Sequence, residues 1–282
     1  MNHQLAHTNT KNNLAIITQQ IPQLLAVGFM LFVSMSSTAN ATTTVSWPDP
    51  ATDREAYSSY TNVTEGGATS AYNWGVLSIW DISALGGQTF SFCLQKGIGG
   101  GWDTSFAVTA GLSSAGFSSS RIEAIDLLVS NTMPTFLGLR DTYLSTLSTY
   151  GTADKTAANN YALAIQLAVW EIAEETSTTL SLSSGSGSFY LPGASASFPY
   201  NNAAADSLAI GFINNITSGT WTATGAYQLN YADSAFKQDQ LLLTSAVPEP
   251  SNLAMLLVGF ATIGFVSRRK KSSNNQDRTG LV

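Results

Sequence analysis

The chain has 282 residues, of which 44% are apolar and 11% are charged, so it can bury a substantial core and is not expected to be disordered. Its net charge is −6, and residues 42–247 contain six basic and sixteen acidic side chains. This acidic balance argues against a surface that binds phosphate, and therefore against a nucleic-acid partner.

Residues 1–41 have the pattern of a cleavable secretory signal peptide. An apolar stretch of about ten residues, Leu24 to Val33, is followed by small residues that end in Ala39-Asn40-Ala41, an A-x-A cleavage site. The stretch is shorter than the roughly 20 residues that span a bilayer, although a retained anchor helix is the alternative. We expect the protein to be exported and the mature chain to begin at Thr42.

The histidines and the cysteine restrict the chemistry of the mature chain. His3 and His7 both leave with the signal peptide, so neither a Ser-His-Asp triad nor a Cys-His pair can form. Since Cys93 is the one cysteine, a structural zinc site is excluded as well, and we expect no metal and no cofactor. A lone thiol risks oxidation in an exported protein and requires an explanation.

The middle of the chain, residues 42–245, predicts one α+β domain. Alternating apolar and polar residues with glycine turns indicate short antiparallel strands from Thr42 to about Leu94. Helical spacing then predicts four helices: one from the capping box at Ser120, one through Phe136 to Tyr150, one after Thr156 and one near residues 203–216. Strands return between Trp221 and Leu243. We therefore expect an antiparallel sheet or barrel-like domain with an inserted helical subdomain.

Two residues of this domain have unusual surroundings. Cys93 lies in a strand whose alternation places it with Ser91, opposite Phe92 and Leu94. Gln166 lies on an apolar helix stripe with Leu163, Val169 and Trp170, where an unpaired amide would cost roughly 1–3 kcal/mol. The buried amide should have a compensating partner, and Cys93 is not simply a small member of the phenylalanine core.

The sequences around them, Phe92-Cys93-Leu94 and Ile165-Gln166-Leu167-Ala168-Val169-Trp170, resemble those of the thioester domain, also called the TQXA domain, of bacterial surface proteins. Ile165 stands where that family has the threonine of its name. The resemblance implies an internal thioester between Cys93 and Gln166, a stored electrophile that reacts once with a nucleophile on a partner. Leu163, Val169 and Trp170 would shield it from water.

Other interpretations of these residues remain open. Cys93 could be an inert thiol and Gln166 a hydrogen-bonded core amide. Glu171, Glu174 and Glu175 could form an acid pair for glycoside hydrolysis, although a solvated helix end is the simpler interpretation. Four tryptophans could stack on sugars, although core packing is the stronger default. These four are Trp74, Trp80, Trp102 and Trp221.

The C-terminal residues 246–271 have the order of a sorting signal. Pro248-Glu249-Pro250 precedes an apolar run from Leu253 to Val266 and the basic cluster Arg268-Arg269-Lys270-Lys271, which is a stop-transfer arrangement. The order resembles a PEP-CTERM tail. That resemblance implies cleavage near the Pro-Glu-Pro motif by an exosortase in a Gram-negative bacterium, with residues 272–282 as a polar cytoplasmic tail.

Together these features predict an exported surface or extracellular-matrix protein that passes transiently through the inner membrane. It would act as a self-reacting covalent binding module rather than as a turnover enzyme. Its partners would be the exosortase and a surface or matrix target with an amine or hydroxyl group, for which an exopolysaccharide-associated molecule is one candidate. The alternative is a non-covalent polysaccharide-binding or structural matrix protein with the same tail.

Overall fold

A computed structural model describes residues 42–46, 54–96, 105–146, 152–193, 201–234 and 237–246, together with residues 258, 260 and 262. The chain divides into two units, Met1–Thr43 and Thr44–Val282, and every helix and strand except the first strand lies within the second unit. The predicted signal peptide, the motif Pro248-Glu249-Pro250 and the polar tail fall outside the described residues. Within the described ranges, no helix is both long enough and apolar enough to cross a membrane.

The predicted α+β class with an antiparallel sheet is confirmed. The strands are β1 (Thr42–Ser46), β2 (Arg54–Glu65), β3 (Ala68–Ile82), β4 (Gly87–Cys93), β5 (Ser105–Ala110), β6 (Phe189–Tyr190), β7 (Tyr227–Asp233) and β8 (Gln240–Ser245). The helices are α1 (Ser119–Thr146), α2 (Thr152–Glu174) and α3 (Ala203–Thr217).

The eight described strands form one sheet in the order β1-β5-β7-β8-β4-β3-β2-β6. β1 and β6 lie at its two edges, so the described sheet is open. β5 and β7 are antiparallel neighbours, and all three helices lie between them in the chain. The helical insertion is therefore confirmed in its position.

The first two long strands are joined by a tight hairpin. Gly66 and Gly67 have φ of 55° and 82°, and positive φ at both positions is what a two-residue turn between twisted strands requires. The strands run for 12 and 15 residues, longer than the short strands that the glycine spacing predicts. β3 can remain long because it pairs with β2 on one side and with β4 on the other.

The prediction of separate first and second helices is wrong, because α1 runs without a break through Pro134. Proline removes one helix hydrogen bond, which usually ends a helix. The carbonyl oxygen of Ser130, four residues before Pro134, is the group that loses its helix donor. The buried face continues past the proline from Met133 to Phe136, so packing holds the helix together.

The larger core lies between one face of the sheet and the three helices. Sheet residues such as Leu77, Phe92 and Leu241 meet buried residues of all three helices there. A smaller core around Trp80 and Phe106 covers the other face. α2 is the central helix, because its apolar residues are buried on nearly every side, and any polar group in its middle must find its partner inside the protein.

Candidate functional site

Cys93 and Gln166 are in direct contact. Cys93 is the last residue of β4, and Gln166 is a fully buried residue in the middle of α2. The backbone N–H of Cys93 donates to Gln166 Oε1 at 2.9 Å, and Gln166 Nε2 donates to the carbonyl oxygen of Cys93 at 2.7 Å. One carboxamide therefore bonds both backbone polar groups of the cysteine.

The contact forms at the end of β4, where β3 no longer pairs with it. β4 pairs with β3 only as far as Leu77 opposite Phe92, whereas it pairs with β8 through Cys93 opposite Gln240. The next residue, Leu94, directs its N–H to Asp239 in the connection before β8. Backbone groups alternate sides along a strand, so those of Cys93 face the vacated β3 side, where the Gln166 carboxamide takes the place of a strand residue.

This arrangement answers the question that the sequence raised about a buried amide. The carboxamide of Gln166 is satisfied by the Cys93 backbone, so it carries no unpaired polar cost in the unreacted protein. A hydrogen-bonded core amide is compatible with that geometry. The same two bonds also fix the carboxamide against the residue that carries the thiol.

The thiol of Cys93 is free, and the residue is half-buried at the edge of the larger core. Burial raises the pKa of the thiol to about 11, while hydrogen bonds from Gln240 and Gln238 act in the opposite direction. Gln240 Nε2 lies 3.7 Å from Cys93 Sγ. Because the thiolate is the nucleophilic form, this thiol reacts slowly at neutral pH unless its surroundings assist it.

The three residues predicted to shield the site are all buried in the larger core. Leu163 lies about one turn before Gln166, and Val169 and Trp170 lie about one turn after it. Trp170 is 3% exposed, and its indole N–H has no hydrogen-bond partner within the described residues. The carboxamide therefore lies among apolar side chains rather than in water.

The glutamates near the end of α2 do not form a solvated helix end, and that prediction is wrong for two of them. Glu171 is fully buried and accepts from the backbone N–H of Ser181 at 2.5 Å, and burial raises its pKa to about 7. Glu175 is 5% exposed and accepts three backbone N–H groups from Ser177, Ser188 and Phe189. Both carboxylates hold the segment after α2 in place.

Glu174 makes a single hydrogen bond of the same kind with the backbone. Its carboxylate accepts from the backbone N–H of Lys96 at 3.3 Å. In the part of the chain that the structure describes, the acidic and thiol groups form no cluster suited to a metal ion.

One of the four tryptophans belongs to a buried core, and a second packs at the edge of the other core. Trp80 is buried in the smaller core and donates to the hydroxyl of Ser91 at 3.0 Å. Trp221 is half-buried, and its ring centre lies 5.7 Å from that of Phe212. Trp102 and the side chain of Trp74 lie outside the described part of the structure.

Gln240 is the site residue that the sequence did not reveal. It is a polar residue at the start of an apolar strand. That pattern indicates a buried polar contact but does not identify the partner. Its position opposite Cys93 depends on the pairing of β4 with β8, which are separated by the whole helical insertion.

Comparison of the chain with protein-family models, with curated proteins and with solved structures gave no match. Function is therefore inferred from the contacts of the site residues and from the sequence motifs.

Proposed function

We propose that this chain is an exported surface or matrix protein whose domain forms an internal thioester between Cys93 and Gln166, for a single covalent attachment to a nucleophile on a partner. The observation that supports this most directly is the pair of hydrogen bonds between the Gln166 carboxamide and the Cys93 backbone. An amide carbon held against a cysteine is the arrangement that thioester formation needs.

The two hydrogen bonds suit the two stages of thioester formation, which are the addition of the sulfur and the departure of the nitrogen. As Sγ adds to the side-chain carbonyl carbon of Gln166, negative charge grows on Oε1, which already accepts the Cys93 N–H at 2.9 Å. A donor in place before charge develops acts as an oxyanion hole. Nε2 donates to the Cys93 carbonyl, so the leaving nitrogen is oriented as well.

The atoms balance without a further reagent. The S–C bond forms, the C–N bond breaks, and the thiol proton leaves with the nitrogen as ammonia. Attack by an amine on the partner then forms an amide to residue 166, breaks the S–C bond and returns a proton to the sulfur. The surrounding apolar side chains, Leu163, Val169 and Trp170, would slow the competing attack by water.

Export and sorting belong to the same proposal and depend on the two ends of the sequence. The Pro-Glu-Pro triplet cannot continue a helix, so it leaves an extended backbone for a processing enzyme just before the apolar run. An exosortase would cut there and release the domain to the cell surface or matrix.

The test is the mass of freshly purified protein, measured against the Cys93→Ser variant, which undergoes the same processing. The wild type should be lighter by one ammonia after correction for the substitution, and Gln166→Ala should show no such deficit. Methylamine should add to the wild type alone and release a thiol that alkylating reagents label. A wild type with its full sequence mass and a Cys93 that is already open to alkylation would contradict the proposal.

A second candidate function has one observation in its favour. A groove of about 700 Å³ lies beside α1 and the end of α3, and its lining includes Trp221, Glu123, Thr178 and Thr222. A half-buried indole beside a carboxylate and hydroxyl groups is suited to a sugar ring. Non-covalent polysaccharide binding would be supported by retention of Cys93→Ser on a polysaccharide column and its loss in Trp221→Ala.

A further inference from the structure

Gln240 is buried against the sulfur of Cys93. It lies directly across from Cys93 in the β4–β8 ladder and is 3% exposed. Its Nε2 contacts Sγ at 3.7 Å and donates to the carbonyl oxygen of Gln238 at 3.2 Å. The carbonyl acceptor fixes which end of the carboxamide faces the thiol, since the reverse orientation would set two oxygens against each other.

The other end of this carboxamide lacks a partner. Gln240 Oε1 is buried and accepts no hydrogen bond within the described residues. A buried oxygen without a hydrogen-bond partner costs free energy. It is therefore a place where an approaching N–H or O–H group would be bound favourably.

The reaction places charge on the atom that Gln240 contacts. Thioester formation requires thiolate character on Sγ, and opening the bond returns negative charge to Sγ as it leaves. An N–H that already points at the sulfur in a dry site stabilises that charge without reorganising.

We propose that Gln240 controls the reactivity of the Cys93–Gln166 bond, by donating its N–H to the sulfur and by receiving an N–H or O–H of the incoming nucleophile on its free oxygen. This inference rests on the proposed thioester. It also narrows the nucleophile to one that carries a hydrogen-bond donor, as a primary amine or a hydroxyl does.

Two Gln240 variants test the inference against a matched control. Gln240→Met keeps the length but removes both polar groups, and Gln240→Asn keeps a buried amide but shortens its reach. Gln88→Met alters an exposed glutamine of β4, the strand that carries Cys93, and should behave as the wild type. Thermal melting of each full chain establishes that it is folded, and Gln240→Asn serves where Gln240→Met does not fold.

The first readout uses the free thiol. In the Gln166→Ala background no thioester forms, and the pH dependence of alkylation reports the pKa of Cys93. Both Gln240 variants should shift this profile to higher pH, and the control should leave it in place. The second readout is the rate at which methylamine opens the bond in chains with Gln166. It should fall roughly tenfold in the Gln240 variants, as expected for losing one hydrogen bond to a developing charge.

The outcomes separate the two proposals. An ammonia deficit together with an unchanged alkylation profile and an unchanged opening rate in folded Gln240 variants would overturn the role of Gln240 and leave the thioester standing. A shifted alkylation profile in a protein without the ammonia deficit would overturn the thioester, and with it the control of that bond by Gln240.

Discussion

Glu175 accepts a hydrogen bond from the backbone N–H of Phe189 at 3.1 Å, so the residue just after α2 holds the first residue of β6. The same carboxylate accepts from the N–H of Ser177 and from both the N–H and the hydroxyl of Ser188. Burial by itself would raise the pKa of Glu175, but these hydrogen bonds outweigh it and lower the pKa to about 2.

We predict that Glu175→Gln destabilises the protein by about 1–3 kcal/mol at pH 7, because an amide nitrogen would face the N–H groups of Ser188 and Phe189. A lowered pKa means that the contribution of Glu175 is complete above its ordinary value of 4.5 and is lost as the pH falls towards 2. Thermal unfolding should therefore show the gap between wild type and variant narrowing over that range. Glu123→Gln, at an exposed position, is the control, and a gap that does not change with pH would contradict the prediction.

Glu171 should give the opposite dependence on pH. One oxygen accepts from Ser181, whereas Oε2 is buried and has no partner within the described part of the chain. Burial raises the pKa from 4.5 to about 7, so the folded state holds a proton that the unfolded state releases. The stability due to this group is complete below pH 4.5 and is lost as the pH rises through 7.

Glu171→Gln should remove that loss, because its side chain is neutral and of the same shape. Unfolding in urea at pH 5 and at pH 8 measures the effect. We expect the wild type to lose stability between the two values and the variant to lose less, so that the variant is the more stable protein at pH 8. Equal losses in both chains would show that Glu171 stays ionised in the fold.

Arg121 of α1 supplies the C-terminal cap of α2. Its guanidinium group donates to the carbonyl oxygens of Ile172 and Glu175 at 2.7 Å and of Ser177 at 2.8 Å. The last carbonyl groups of a helix have no partner within the helix, and one planar fork reaches several of them. We predict that Arg121→Lys costs about 2 kcal/mol, since one ammonium group cannot replace all three bonds.

Arg140→Lys is the matched control for this change. Arg140 bonds Glu55 through two nitrogens in a partly exposed ion pair, so the same substitution there should cost about 1 kcal/mol or less. Chemical denaturation of both variants compares them. Equal losses would mean that the cap of α2 adds nothing beyond an ordinary ion pair.

Local patterns in the sequence were enough to predict much of the helical insertion. The apolar run around Gln166 predicts α2, and the helix near residue 203 is confirmed with Asn202 as its cap, whose side chain accepts from the N–H of Ala205. The prediction of two helices in place of α1 was wrong, because the packing that carries α1 past Pro134 comes from other elements. α2 also begins before the predicted cap at Thr156, since its N-terminal turn starts at Thr152.

The site was predictable only in part, because contacts between elements that are distant in the sequence determine it. A buried glutamine on an apolar stripe signals a required partner, but the partner proved to be the Cys93 backbone, which is free only because β3 stops pairing with β4 there. Gln240 reaches the thiol through strand pairing across the insertion. The roles of Glu171 and Glu175 depend on the path of the segment after α2, which no periodicity encodes.

The C-terminal motif leads to a prediction about processing. Cells without the processing enzyme should keep a longer, membrane-bound form, whereas cells that have it should hold or release a form without residues 253–282. Replacing Pro248 and Pro250 by alanine should have the same effect as losing the enzyme, because the extended backbone would no longer be enforced. Mass spectrometry of the C-terminus distinguishes the two forms. Identical C-termini in wild-type cells, in cells without the enzyme and in cells with the alanine replacements would contradict the prediction.

The last prediction concerns the buried contact between Gln166 and Cys93 in the absence of any thioester. Cys93→Ser keeps both backbone groups but prevents the bond, so it is the reference chain. Adding Gln166→Glu leaves one carboxyl oxygen to accept the N–H of residue 93. The other carboxyl oxygen then faces the carbonyl oxygen of residue 93, to which Gln166 Nε2 donates at 2.7 Å in the wild type. Two acceptors then face each other in a fully buried position.

The cost of that change should depend on pH in a defined direction. A protonated carboxyl group can donate to the carbonyl oxygen and restore the contact, whereas a buried carboxylate cannot, so the fold raises the pKa of the introduced group. The double variant should therefore unfold close to the reference at pH 4 and should lose about 3 kcal/mol or more by pH 8. Gln88→Glu in the same background introduces the charge at an exposed position of β4 and should show little loss. A loss that is equal at both pH values would mean that the carboxylate has escaped to water and that α2 does not hold residue 166 against Cys93.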